Sequence, residues 1–163
     1  MKLSDHVQNE LNEQVNRELF SGYLYLSLAT WFDNQGLNGF SHWMKRQALE
    51  EKDHGMKIYE YIYDREGCVS LRQIDEPPRS WEQIKDAINA AYLHEQYITR
   101  EIYRIMDQAR NEKDFGTVTF LQWFVTEQVE EEKSVKEILD RLELIGDNKQ
   151  GLVMIDKELA QRE

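Results

Sequence analysis

The sequence is poor in residues that interrupt helices or cross-link loops. It has two prolines, adjacent at Pro77 and Pro78, and one cysteine, Cys68, in 163 residues. So little proline permits long uninterrupted helices. One cysteine excludes an intramolecular disulfide framework and any cysteine-rich metal site. No apolar run approaches bilayer-spanning length, so no membrane partner is expected. Residues Met1 to His6 lack the apolar core of a signal peptide, and a cytoplasmic location is expected. Cationic residues are in deficit: 20 Lys and Arg stand against 31 Asp and Glu, a net charge of -11. Phosphate recognition needs clustered Lys and Arg, so no nucleic-acid partner is expected. What remains, 40% hydrophobic and 31% charged, is the balance of a globular chain, read as one domain over residues 1–163.

Apolar residues recur at alternating steps of three and four, the mark of helices with one inward seam. Four long helices follow: about Ser4 to Asp33, Phe40 to Asp64, Trp81 (after a Ser80 cap) to Asn111, and Asp114 to Ile145. Asp147 and Gln150 suggest a capping box for a short fifth helix, giving a bundle over about 4–145 and a C-terminal helix over about 148–161. Short links make antiparallel hairpins of helices one and two and of helices three and four. Arg65 to Ser80 has no seam and holds both prolines. A helix of 28 residues is roughly 42 Å long. Sixteen extended residues reach at most roughly 55 Å, enough to run the length of a bundle. The expected fold class is all-α: an antiparallel four-helix bundle with one long crossover between helices two and three, plus the short fifth helix.

Each seam turns polar near its middle. Glu18, Glu51 and Glu95 interrupt the first three, and Gln128 with Glu131 the fourth. If the crossover returns the chain to the starting end of helix two, counting from the helix ends at 1.5 Å per residue puts all of them at one height. A repeat supports this. Glu18 to Glu95, Glu51 to Gln128 and His54 to Glu131 are each separated by 77 residues. Glu51-x-x-His54 therefore maps onto Gln128-x-x-Glu131, and each hairpin supplies half a site. Residues three apart share a helix face and can hold one ligand. Four carboxylates inside a bundle, with no Lys or Arg on a seam, cost several kcal/mol each. Two divalent cations would match their charge. Oxygen ligands with one imidazole suit iron or manganese better than structural zinc.

The segments Arg17–Leu26, Glu50–His54, His94–Gln96 and Phe120–Lys133 resemble the non-haem ferritins of bacteria and archaea, and the likeness runs over nearly the whole chain. The resemblance implies a ferroxidase that oxidises Fe(II) with dioxygen or peroxide and stores ferric oxide in a 24-subunit cage. Glu18 and His54 would bind one iron, with Glu51 bridging. Glu95 would hold a second, with Gln128 and Glu131 beside it. A third, weaker iron site would use Glu50, Glu127 and Glu130, sharing Glu131. Tyr25 matches a family tyrosine that hydrogen-bonds near the centre, and Trp123 matches a nearby tryptophan. Lys52 stands where haem-binding relatives carry methionine, so no haem is expected. His6, His42 and His94 receive no metal role, and Cys68 no chemistry. Leu24, Tyr61 and Tyr97 are expected to face outward, available for assembly.

Overall fold

The computed structural model describes residues 2–162; Met1 and Glu163, the ends of the expected domain, lie outside the described residues. It consists of α1 (Asp5–Asn34), α2 (Asn38–Asp64), α3 (Ile84–Asn111), α4 (Phe115–Ile145) and α5 (Lys149–Leu159). Among the described residues, no helix is long and apolar enough to cross a membrane.

Caps explain most of the boundaries. The Ser4 hydroxyl accepts from the Val7 amide at 3.1 Å and starts α1. The Asp114 carboxylate does the same for α4, accepting from Thr117 N at 3.1 Å. Two starts differ from expectation. Helix α3 begins at Ile84, not Trp81, because Asp86 accepts from Gln83 N and the Trp81 ring is packed edge-on against Trp31. For α5 the cap is Asn148, which accepts from Gln150 N and Gly151 N, not Asp147. Gly146, at φ 54°, ends α4, and the chain enters α5 one residue later than the Asp147 box requires, so the Asn148 side chain meets the free amides.

Helix α1 packs beside α2 and α3, and α3 beside α4. Side chains close the ring between α2 and α4: Tyr61 stacks on Phe120 at 3.8 Å, and Arg65 pairs with Asp114 at 3.1 Å. The crossover runs along α1 from end to end. Gln8 accepts from Cys68 N, Asn12 bonds the backbone of Cys68 and Ser70, Asn16 donates to Gln73 O, and Ser27 to Pro78 O. It therefore returns the chain to the starting end of α2, as its length allows.

The apolar core is in two parts. One gathers Leu28, Phe32, Phe40, Met44, Ile88 and Leu142, the other Leu11, Ile58, Ile62, Ile102, Leu121 and Phe124. Between them lies the polar level. Two residues expected to face outward do not. Leu24 is 6% exposed within the first core part, and Tyr61 is half-buried, stacked on Phe120. The apolar stripe of a bundle helix is wider than its central seam, so flanking positions are covered too. Tyr97 is exposed.

Candidate metal centre

Mid-bundle, all four helices contribute side chains to one layer. Glu18 of α1, Glu51 and His54 of α2, Glu95 of α3, and Gln128 and Glu131 of α4 are all buried, none more than 6% exposed. Their ligand atoms form overlapping sets, each within 4.8 Å: Glu18 with Glu51 and His54, Glu51 with Glu95 and Glu131, and His54 with Glu127 and Glu131. Glu51 belongs to the first two sets and stands between them. The Gln128 carboxamide donates to Glu95 Oε2 at 3.2 Å, and the Tyr25 hydroxyl donates to Glu95 Oε1.

The layer has more negative charge than its surroundings offset. No Lys or Arg is buried among the described residues. Burial pushes the Glu18 carboxyl up to about 8, with Glu51 adding to the rise. Glu95 and Glu131 are pushed up to about 7, also chiefly by burial. Glu51 is raised well above the ordinary range by burial and by Glu95 and Glu131. Two buried atoms, Glu18 Oε2 and His54 Nδ1, have no hydrogen-bond partner. Both belong to the first set. Unpaired buried polar atoms are costly, and carboxylate oxygens with one ring nitrogen are a donor set for iron or manganese.

The architecture has relatives. A family model described as the Ferritin-like domain matches residues 8–145. The chain is 38% identical over 160 residues to a bacterial non-heme ferritin of Bacteroides fragilis, covering 98% of this chain and 99% of that one. It is 36% identical to a bacterial non-heme ferritin of Staphylococcus aureus, covering 98% and 96%. The chain belongs to the ferritin family. An open-pore ferritin from the hyperthermophilic archaeon Archaeoglobus fulgidus superposes on this chain with a TM-score of 0.98 at 45% identity, covering 99% of this chain and 98% of that one.

The outer residues of the site are less tightly gathered. Glu127 is half-buried and reaches His54 Nε2 at 4.0 Å. Glu50 is turned to Arg162, at 2.5 Å. Glu130 is exposed and joins none of the three sets. Trp123 is 39% exposed, edge-on to His54 at 5.4 Å with Lys57 Nζ 4.1 Å over its ring, so it covers the histidine more than it fills a core. His94 bonds Ser21 Oγ at 2.7 Å, and His42 Nε2 donates to Arg162 O at 2.7 Å.

Two residues went unnoticed in the sequence. Gln14 Nε2 donates to Glu18 Oε1 at 2.8 Å, and Gln47 Nε2 donates to Glu51 Oε1 at 3.1 Å and Glu131 Oε2 at 2.5 Å. Both are fully buried. Each amide oxygen accepts from an arginine: Arg17 Nη1 at 3.2 Å for Gln14, Arg162 Nη1 at 2.8 Å for Gln47. The signal was present. Each glutamine stands four residues before its glutamate, one helical turn.

Proposed function

We propose that this chain is an iron-storage ferritin whose bundle interior oxidises ferrous iron. The observation that carries the reading is Glu51, buried between a Glu18–His54 set and a Glu95–Glu131 set. One carboxylate with an oxygen toward each set suits a bridge between two metal ions.

Two ferrous ions are the substrate. Each gives up one electron, and one dioxygen takes up both, reaching the peroxide level with two protons. Glu18 and His54 hold one ion and Glu95 the other, with Gln128 and Glu131 beside it. Tyr25 fixes the Glu95 carboxylate by donating to it. Glu50, Glu127 and Glu130 offer a third, weaker station for the outgoing ion. No haem takes part. The chain's contribution is ligand geometry and exclusion of water from a dry, shaped cavity. The ferric product collects as oxide inside a cytoplasmic cage of 24 copies, each a single domain. Exposed Tyr23, Leu26, Leu71 and Ile74 on α1 and the crossover supply apolar surface for that assembly.

The test is size and iron count. The assembled protein is sized by light scattering, loaded aerobically with ferrous iron, and its retained iron counted. Storage requires a large particle and a count far above the two ions one site per subunit can hold. A count that stops at two per subunit would mean a diiron enzyme on the same bundle.

A further inference from the structure

We propose that Arg162 is a tethered counter-cation of the carboxylate layer, and that a metal cation must displace it to bind fully. The inference rests on the reading of this layer as a metal centre and concerns what opposes the metal there.

Arg162 lies three residues beyond the end of α5. The Asp156 carboxylate docks α5 by accepting from Gly39 N at 2.8 Å and Phe40 N at 3.0 Å, at the start of α2. The tail then follows α2. His42 holds the Arg162 carbonyl, and the guanidinium lies 4.5 Å over the Trp43 ring. One guanidinium nitrogen donates to Gln47 Oε1 at 2.8 Å, the other to Glu50 Oε2 at 2.5 Å. With its oxygen engaged by the arginine, the Gln47 amide presents its N–H groups to Glu51 and Glu131. A single side chain beyond α5 thus acts on three carboxylates, Glu50 directly and the other two through one amide.

Its effects share one sign. A fixed positive charge beside the layer repels a cation. Glu50 is engaged by the guanidinium. One oxygen each of Glu51 and Glu131 is occupied by a Gln47 N–H donor. Arg162 and a metal cation offset the same excess of negative charge, so each weakens the other, and by linkage the effect is reciprocal. Arg17 reaches Gln14 in the same way but sits within α1 and also pairs with Glu101 at 2.9 Å. Arg162 is outside any helix, with its side chain 24% exposed, and can leave without unwinding one.

The experiment titrates Co2+ into the assembled protein at low ionic strength. Calorimetry gives the affinity, and the visible ligand-field bands of Co2+ report coordination. If the wild type binds no Co2+ in such a site, the metal-centre reading itself falls. Given wild-type binding, Arg162→Gln is expected to tighten it about tenfold, within the usual range for coupled sites. Arg162→Lys keeps the charge but loses the two-pronged contact and the stacking, and is expected to tighten binding less than Arg162→Gln does. In a Trp123→Phe background, which removes the tryptophan against His54, Zn2+, which does not quench, should alter tryptophan emission as the guanidinium leaves the Trp43 ring, and should alter it less when Arg162 is also replaced by Gln. Unchanged or weaker Co2+ binding in Arg162→Gln would overturn the proposal, as would equal tightening in both variants.

Discussion

Gly55 of α2 lies against Glu18 of α1: a Cβ at position 55 would stand 3.3 Å from the Glu18 Cβ. The relation is reciprocal. A Cβ at Gly22 would stand 3.1 Å from the Ala48 carbonyl oxygen and 3.7 Å from the Glu51 Cβ. Each glycine follows its own helix's glutamate by four residues, as each glutamine precedes it by four. The pattern Gln-x-x-x-Glu-x-x-x-Gly therefore occurs on both helices. The glycines let the backbones approach, and that approach sets the separation of Glu18 and Glu51.

Gly22→Val tests the spacing. Added bulk in a filled interface is expected to cost about 1–3 kcal/mol. It should also part the two glutamates, weakening Co2+ binding by at least roughly tenfold. Thermal unfolding and calorimetry check both. An unchanged melting midpoint together with unchanged affinity would show that the close approach is incidental.

Glu51→Ala tests the bridge. The variant should lose fast ferrous oxidation, by about a hundredfold or more in initial rate, since both sets lose their shared carboxylate. Stopped-flow absorbance of the ferric product measures it. A surviving rate would place the ferroxidase chemistry elsewhere.

The raised carboxyls predict a pH dependence. In the unfolded chain they ionise near the usual value, while in the bundle Glu95 and Glu131 wait until about 7 and Glu18 until about 8. Between those limits the unfolded chain releases protons that the folded one retains. Chelated protein should therefore lose stability as pH rises from about 5 to 8, with a shallower loss in Glu18→Gln. Cations bind the ionised form, so their binding should tighten over the same window and release protons, more at pH 6.5 than at pH 8.5. Titration in weak buffer with a pH indicator reads the release directly. Binding with no proton release at pH 6.5 would contradict the assignment.

Tyr25→Phe isolates one hydrogen bond. The hydroxyl's donation to Glu95 favours the ionised carboxylate. Without it the Glu95 carboxyl should rise further, moving the midpoint of cation binding up by about one pH unit. The fold should persist, because the ring that fills the core is retained.

How much was legible follows from periodicity. The carboxylate layer could be read because Glu18, Glu51, Glu95 and Glu131 break regular seams, and because offsets of 77 residues tie the two hairpins together. The crossover could be read because Arg65 to Ser80 has no seam. What periodicity does not carry was missed. Periodicity alone extends α3 back to Trp81, whose packing on Trp31 is a tertiary event. Arg162 belongs to no repeat, and its reach to Gln47 and Glu50 depends on where α5 docks. Gln14 and Gln47 were visible as a pattern but have the appearance of ordinary polar helix residues until their amides are seen to face the layer.

The two-part apolar core gives the centre a mechanical side. Leu11, Ile62 and Ile102 lie on one side of the carboxylates, Phe32, Phe40 and Leu142 on the other. A cation joined to all four helices at mid-height would act as a rivet between two separately packed halves. With it in place, amide exchange around Ile62 and around Phe32 should slow together. With it stripped, the two halves are expected to open on their own schedules.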